Sequence, residues 1–121
     1  MVVDFRDEQR ADRLFQALAD ATRRDIVRRS LQGGHSVSAL ARCYPMSLTA
    51  VQKHVAVLER AGLVTKERNG REQVVRADVG TLRTAHELLD QLGTVWRDRM
   101  DRFGELLAEP DDDETEQGAP T

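Results

Sequence analysis

Aromatic side chains are scarce in this chain of 121 residues, where they make up 4% of the sequence. Because large ligand pockets are lined mainly by apolar and aromatic side chains, this scarcity argues against such a pocket.

The only cysteine, Cys43, cannot form a disulfide within the chain, which excludes a disulfide-stapled secreted domain. No apolar run approaches the ~20 residues that span a bilayer, and the N-terminus lacks the apolar core of a signal peptide. The expected location is therefore the cytoplasm, with no membrane association.

Charge is unevenly distributed along the chain, although the net charge is only −3. Residues 21–77 contain eleven Lys and Arg against four Asp and Glu, a net charge of +7. Residues 105–116 contain seven acidic residues and no basic one. We therefore predict one domain over residues 1–108 and an acidic, disordered tail over residues 109–121. The cationic middle of the chain favours a polyanionic partner.

Apolar spacing and capping residues predict four helices in the first half of the chain. They cover residues 7–19, 21–31, 37–43 and 48–60. Asp20, Ser36 and Ser47 can cap the second, third and fourth helices, because their side-chain oxygens can accept from free backbone amides. Gly33-Gly34 and Pro45 interrupt the helical pattern.

A β-hairpin is predicted over residues 63–77, where two β-prone runs surround Asn69-Gly70. This dipeptide is typical of a type I′ turn, in which both central residues have positive φ. Pairing the strands about that turn places Glu67 opposite Glu72, which is a mildly unfavourable match.

One long helix is predicted to begin at Asp78 or Gly80 and to end near Ala108. Its apolar stripe is spaced 3-4-3-4 and consists of Leu82, Ala85, Leu89, Leu92, Trp96, Phe103 and Leu106. The helix would be about 40 Å long, whereas a domain of this size has a radius of gyration of ~13 Å. Part of the stripe must therefore pack against another surface, most simply a second copy of the chain.

The predicted order of four helices, two strands and one helix is mainly α with a small β-hairpin, which is typical of a winged helix-turn-helix. The helix over 48–60 would be its recognition helix. Gln52 can pair with adenine through two hydrogen bonds, and Lys53 can reach guanine or a phosphate. Ser47 and Thr49 suit phosphate contacts at the helix N-terminus. The tip of the hairpin would contact the flanking backbone or minor groove through Arg68, Asn69 and Arg71.

Three stretches of the sequence, LADATRRDIV, SLTAVQKHV and LERAGLV with the following NGR, resemble the ArsR-type winged helix-turn-helix repressors. The resemblance extends over roughly residues 12–107. It implies a homodimeric repressor in which double-stranded DNA is faced by Ser47, Thr49, Gln52, Lys53 and His54. His54 lies beside the apolar stripe of its helix, so a partly packed histidine is the open alternative to a DNA contact. It also implies that the first and last helices form the subunit interface. The residues expected there are Leu14, Phe15, Leu18, Leu82, Leu89, Leu92, Trp96 and Phe103.

Metal-sensing members of that family carry a Cys-x-Cys pair where this sequence has Ser36-Val37-Ser38-Ala39, which offers no thiolate. On the last helix only His86 and Asp90 lie one turn apart, and two ligands fall short of the four that zinc takes. The chain therefore resembles the branch without the metal motif, and no metal or other cofactor is predicted. A small apolar effector, if one exists, would lie in a cleft lined by Trp96 and Phe103.

Two smaller features have structural interpretations. The second helix carries four arginines, and we expect at least one of them to pair with a carboxylate rather than with DNA. They are Arg23, Arg24, Arg28 and Arg29. Cys43 is expected to be a small buried residue rather than a redox sensor.

The predicted function is transcriptional regulation by a homodimeric repressor that reads a palindromic operator with helix 48–60 and the wing over 63–77. The alternative is a winged-helix protein–protein interaction module without DNA binding, which the hydrogen-bonding and basic residues of helix 48–60 disfavour. An enzyme is not expected, because the sequence has no glycine-rich phosphate loop and no supported spacing of a nucleophile and a base.

Overall fold

The computed structural model describes residues 5–108, so the predicted acidic tail over 109–121 lies outside the described residues. Its elements in chain order are α1 (Phe5–Leu18), α2 (Ala21–Leu31), β1 (His35–Ser36), α3 (Val37–Ala41), α4 (Leu48–Arg60), β2 (Val64–Asn69), β3 (Glu72–Ala77) and α5 (Val79–Ala108). The predicted winged helix-turn-helix order is confirmed, with one additional short strand. The described residues divide into two compact units, one ending at His86 and the other beginning at Glu87, and most of α5 belongs to the second.

The N-termini of four helices are fixed by capping side chains. Asp20 for α2, Ser36 for α3 and Ser47 for α4 are the predicted caps, and Asp78 caps α5 in addition. In each case the side-chain oxygen accepts a 3.1 Å hydrogen bond from the amide three residues later. Each bond satisfies one amide that has no partner within its helix. The amide of Arg23 also lowers the pKa of Asp20.

The C-terminus of α1 is capped by two arginines of the next helix. Arg23 donates through Nε to the carbonyl of Ala17 at 2.7 Å and through NH2 to that of Gln16 at 3.1 Å. Arg24 donates to the carbonyl of Leu18 at 2.7 Å. Cations at this position satisfy the last carbonyls and offset the negative end of the helix dipole. These two arginines therefore stabilise the α1–α2 corner.

The core of the first unit is aliphatic. Its fully buried side chains are Leu14, Ile26, Leu40, Leu58, Leu63, Val51, Val55, Val64 and Val75. Burying an aliphatic side chain of this size stabilises the fold by roughly 1.5–3 kcal/mol. The prediction that Leu14 contacts a second subunit is wrong, because its exposure is 0% and it has no surface left to bury. Phe15, Leu18 and Leu82, which were expected at the same interface, are half-buried.

The register of the wing differs from the predicted one. Asn69 pairs with Glu72, so the two turn residues are Gly70 and Arg71, and the positive φ of +68° falls on Gly70. The predicted opposition of Glu67 and Glu72 is therefore wrong. Glu67 lies instead opposite Val74, diagonal to Arg76, whose Nε is 3.3 Å from Glu67 Oε1. The observed register replaces a like-charge pair by an ion pair.

The short strand β1 completes a three-stranded antiparallel sheet in the order β1-β3-β2. His35 pairs with Val75 and Ser36 with Val74. Gly34 permits this approach, since a Cβ there would lie 2.7 Å from Cγ1 of Val74. Because Ser36 is also the cap of α3, this pairing fixes the wing to the helix-turn-helix.

The second unit contains the greater part of α5, which carries large apolar side chains that are exposed. Its exposed large side chains are Leu89, Leu92, Val95, Trp96, Met100, Phe103, Leu106 and Leu107. Within residues 5–108, none of the helices combines the length and the apolar character needed to cross a bilayer.

Candidate nucleic-acid interface

The N-terminal half of α4 has one apolar face and one polar face. Val51 and Val55 are buried in the core. Thr49, Gln52 and Lys53, spaced three and four residues apart, share the exposed face. Ser47, at the start of the helix, is exposed as well. Four of the predicted DNA-binding residues therefore lie on one accessible surface at a helix N-terminus.

The tip of the wing presents the other predicted residues. Arg68, Asn69 and Arg71 are all exposed. Arg71 lies in the turn itself, and Arg68 donates through Nε to the carbonyl of Gly70 at 3.4 Å. The guanidinium of Arg71 makes no hydrogen bond or ion pair within residues 5–108 and is free to bind a phosphate.

A groove of about 300 Å³ joins the recognition helix to the wing. Gln52 of α4 and Arg71 of the wing line it together. The groove also includes the acidic Glu72 of the wing and two hydrogen-bonding residues, Ser38 from the first turn of α3 and Gln73 from β3. These two hydrogen-bonding residues were not among the predicted site residues. No sequence signal marks them, since their position depends on the folding of the wing against α3.

His54 differs from its neighbours on α4. It is half-buried, and its Nδ1 lies 3.2 Å from NH1 of Arg23 on α2. Its imidazole therefore contacts the end of α2 that caps α1. The described contacts give His54 a packing role between two helices.

The turn between α3 and α4 is attached to α2 by a small polar cluster. The Tyr44 hydroxyl donates to Asp25 Oδ2 at 2.6 Å, and Arg29 Nε donates to the same oxygen at 2.7 Å. Arg28 donates to Asp25 Oδ1 at 2.8 Å. The carbon at the centre of the Arg29 guanidinium lies 5.8 Å from the centroid of the Tyr44 ring, within the range of a cation–π contact. The prediction that an arginine of α2 pairs with a carboxylate is confirmed.

This cluster shifts the pKa values of its two acidic members in opposite directions. Hydrogen bonds from Tyr44 and then Arg29 hold the pKa of the Asp25 carboxyl below its ordinary value. Burial, followed by the hydrogen bond to Asp25, raises the pKa of Tyr44 to about 12. Asp25 is therefore ionised and Tyr44 protonated at neutral pH, which is the state that their hydrogen bond needs.

Cys43 precedes Tyr44 and is exposed, so the prediction of a small buried residue is wrong. The physical reason is that α3 ends at Ala41, two residues earlier than predicted, and Cys43 falls in the turn. Its Sγ lies 3.5 Å from the carbonyl of Ala39, to which the thiol donates.

In the part of the chain that the structure describes, no three His, Cys, Asp or Glu side chains are grouped to hold a metal ion. His86 and Asp90 are both exposed on α5. Asp90 Oδ1 lies 3.9 Å from NH2 of Arg97.

Comparisons with known proteins agree with this geometry. A family model described as a helix-turn-helix domain matches residues 18–67. The HTH-type transcriptional regulator Rv2034 of Mycobacterium tuberculosis is 37% identical over 102 residues, which cover 84% of this chain and 92% of the relative.

Solved structures extend the likeness to the fold. An ArsR-like transcriptional regulator from Rhodococcus sp. RHA1 is 30% identical, with a TM-score of 0.71, over 87% of this chain and 98% of that chain. A homodimeric winged helix-turn-helix DNA-binding domain from Mycobacterium bovis is 24% identical, with a TM-score of 0.62, over 77% of this chain and 91% of that chain. Each relative is thus matched over most of its length.

Proposed function

The chain belongs to the ArsR-type winged helix-turn-helix family of DNA-binding transcriptional regulators, and we propose that it acts as a homodimeric repressor of a palindromic operator. It would act in the cytoplasm, on double-stranded DNA, and without a catalytic activity of its own. The observation that carries this proposal is the groove that Gln52 of the recognition helix and Arg71 of the wing line together.

The exposed face of α4 suits the major groove of DNA. A glutamine amide can donate and accept together, so Gln52 can form two hydrogen bonds with an adenine edge. Lys53, one residue further, can reach a guanine or a phosphate. Ser47 and Thr49 lie at the positive end of the α4 dipole, where phosphate oxygens are bound favourably. These four side chains can therefore combine base reading with positioning on the backbone.

The wing supplies contacts that do not depend on base identity. Arg68 and Asn69, at the end of β2, and Arg71, in the turn, are exposed at the tip of the wing, and a guanidinium binds phosphate with two parallel hydrogen bonds. Arg68 and Arg71 are part of the net +7 of residues 21–77, which attracts the DNA backbone. His54 would act in this site by holding α4 against Arg23 rather than by contacting a base.

A dimer would form through the apolar stripe of α5. Leu92 is 65% exposed and Trp96 59% exposed. Burying apolar side chains of this size is favourable in free energy, so a second copy that covers them is stabilised by the contact. Leu89 and Phe103 extend the same stripe at seven-residue intervals from Trp96, the spacing of a helix–helix seam. Twofold pairing would present two copies of α4 to half-sites about 10 bp apart, or a small multiple of that distance.

Selection of bound fragments from genomic DNA, followed by competition titration with a mismatched site, tests this function. We expect the selection to yield a palindromic site, and we expect the mismatched duplex to compete poorly with this site for the protein. If the chain bound no duplex even at low salt, DNA binding would be rejected and the protein–protein interaction module would take its place.

A further inference from the structure

Within the first unit, α1, α2 and α4 surround a second groove of about 300 Å³, separate from the one beside the wing. Each helix contributes one guanidinium group to it: Arg13 from α1, Arg23 from α2 and Arg60 from α4. The apolar part of its lining consists of Ala17, Val57 and Ala61. We refer to this feature as the arginine groove.

The positive charge of the arginine groove is offset only in part, by the carboxylate of Asp20, which interacts electrostatically with Arg23. The residues that line it include no Asp or Glu. Arg13 and Arg60 make no hydrogen bond or ion pair with any residue in the range 5–108. Arg23 uses three of its five N–H groups, on the carbonyls of Ala17 and Gln16 and on His54. Donors from all three helices therefore remain available to one anion.

The size and lining of the groove indicate the kind of anion. A carboxylate or phosphate matches the planar fork of a guanidinium, and bonds between charged partners are the stronger class of hydrogen bond. An inorganic ion would leave the apolar lining of Ala17, Val57 and Ala61 in contact with water. The volume of the groove corresponds to roughly ten water molecules at ≈30 Å³ each, which is enough for an apolar group the size of a single ring. We propose that the arginine groove binds a small organic anion, with a carboxylate or phosphate attached to such an apolar body.

Occupation of the groove would reach the DNA-binding face through Arg23. The NH1 group of Arg23 lies 3.2 Å from Nδ1 of His54, which directly follows Lys53 on α4. An anion that binds the remaining N–H groups of Arg23 lowers the positive charge next to His54 and of the unit as a whole. This weakens binding to DNA, and by linkage DNA weakens binding of the anion. This consequence rests on the proposed function, whereas the site itself does not.

The site is tested by titrating the isotope-labelled full chain with benzoate and with phenyl phosphate, followed by two-dimensional NMR of the backbone amides. We expect saturable shifts at Gln16, Val57 and Ala61, and the stronger of the two ligands identifies the preferred anionic group. Benzamide has the shape of benzoate without its charge, and we expect it to bind at least about tenfold more weakly.

The matched variants are Arg13→Gln and Arg60→Gln, with Arg83→Gln as the control for the change in net charge. Arg83 is exposed on α5, outside the groove. We expect each groove variant to weaken binding at least about tenfold and the control to leave it unchanged. The amide spectra of all three report whether the fold is intact.

The proposal is overturned if neither anion gives saturable shifts at millimolar concentration, if benzamide matches benzoate, or if both groove variants bind like the wild type. DNA titrations with and without the tighter ligand test the link through Arg23, and an unchanged DNA affinity rejects it. A chain that binds the anion but no DNA would reject the proposed function and retain the site.

Discussion

The hydroxyl of Tyr44, in the turn before the recognition helix, donates a 2.6 Å hydrogen bond to Asp25 on α2, nineteen residues earlier in the chain. The bond fixes the turn of the helix-turn-helix to a helix that is itself anchored on α1. The same carboxylate holds Arg28 and Arg29, so one acidic side chain organises this corner. The orientation of α4 thus depends on a contact outside the proposed DNA-binding face.

Replacing Tyr44 by Phe removes this hydrogen bond and keeps the ring that Arg29 contacts. We expect the free energy of unfolding to fall by about 1.5 kcal/mol, the lower end for a bond to a charged group, because the pair is only half-buried. Chemical denaturation at neutral pH measures the difference. Tyr44→Ala also removes the cation–π contact, so we expect it to lower the free energy of unfolding further than Tyr44→Phe does. Equal stabilities of wild type and Tyr44→Phe would contradict the anchoring role.

The ionisation of Tyr44 can be measured directly, since it is the only tyrosine in the chain. Its pKa is raised from 10.0 to about 12, so the folded state favours the protonated phenol. The stabilisation is complete below pH 10 and is lost as the pH rises towards 12. Ultraviolet titration of the folded chain should therefore show a midpoint well above that of the chain unfolded in denaturant. Coinciding midpoints would contradict the buried hydrogen bond.

The depressed pKa of Asp25 has the opposite consequence at acid pH. Its contribution to stability is present above the ordinary value of 3.8 and is lost as the pH falls through the lower folded value. The acid-induced loss of stability should therefore be smaller in Asp25→Asn than in the wild type. Denaturation curves at neutral pH and below pH 3.8 make this comparison, and parallel losses in the two proteins would count against it.

Gln52→Ala tests the reading of bases. We expect specific binding to weaken by about 1–3 kcal/mol while binding to unrelated DNA changes little, because two hydrogen bonds to one base are lost. Competition between the operator and single-mismatch duplexes measures both quantities. Gln91→Ala, at an exposed glutamine of α5, is the matched control. Unchanged discrimination in Gln52→Ala would remove this residue from base recognition.

Arg71→Ala tests the phosphate contact of the wing. Binding to all duplexes should weaken similarly, and the slope of log K against log salt should flatten by about one unit, as for one lost phosphate contact. Titrations over a series of salt concentrations give this slope, with Arg83→Ala as the control for net charge. If the slope of Arg71→Ala equalled that of the wild type, Arg71 would lie outside the phosphate contacts.

The parts of the fold that the sequence predicts correctly depend on local interactions. Asp20, Ser36 and Ser47 each cap a helix from a position three residues before the amide that they satisfy. The buried stripe of α4, with Val51 and Val55, follows directly from helical spacing. Such features need no knowledge of the remainder of the chain.

The features that were missed depend on contacts between distant segments. The two-residue strand His35–Ser36 is too short to show alternation and exists only because β3 pairs with it. Asn69-Gly70 indicates a hairpin, but the dipeptide does not determine whether Asn69 enters the turn or stays in the strand. The same limit applies to the Tyr44–Asp25 bond and to the arginine groove, whose residues come from three helices.

Sedimentation equilibrium of the full chain with a labelled duplex carrying the selected palindrome shows whether two copies of this chain bind one operator, as recognition by a pair of α4 helices needs. We expect a complex of two chains per duplex at concentrations where the free chain is already a dimer. A complex with one chain per duplex, or a strictly monomeric chain that binds the palindrome with full affinity, would contradict it.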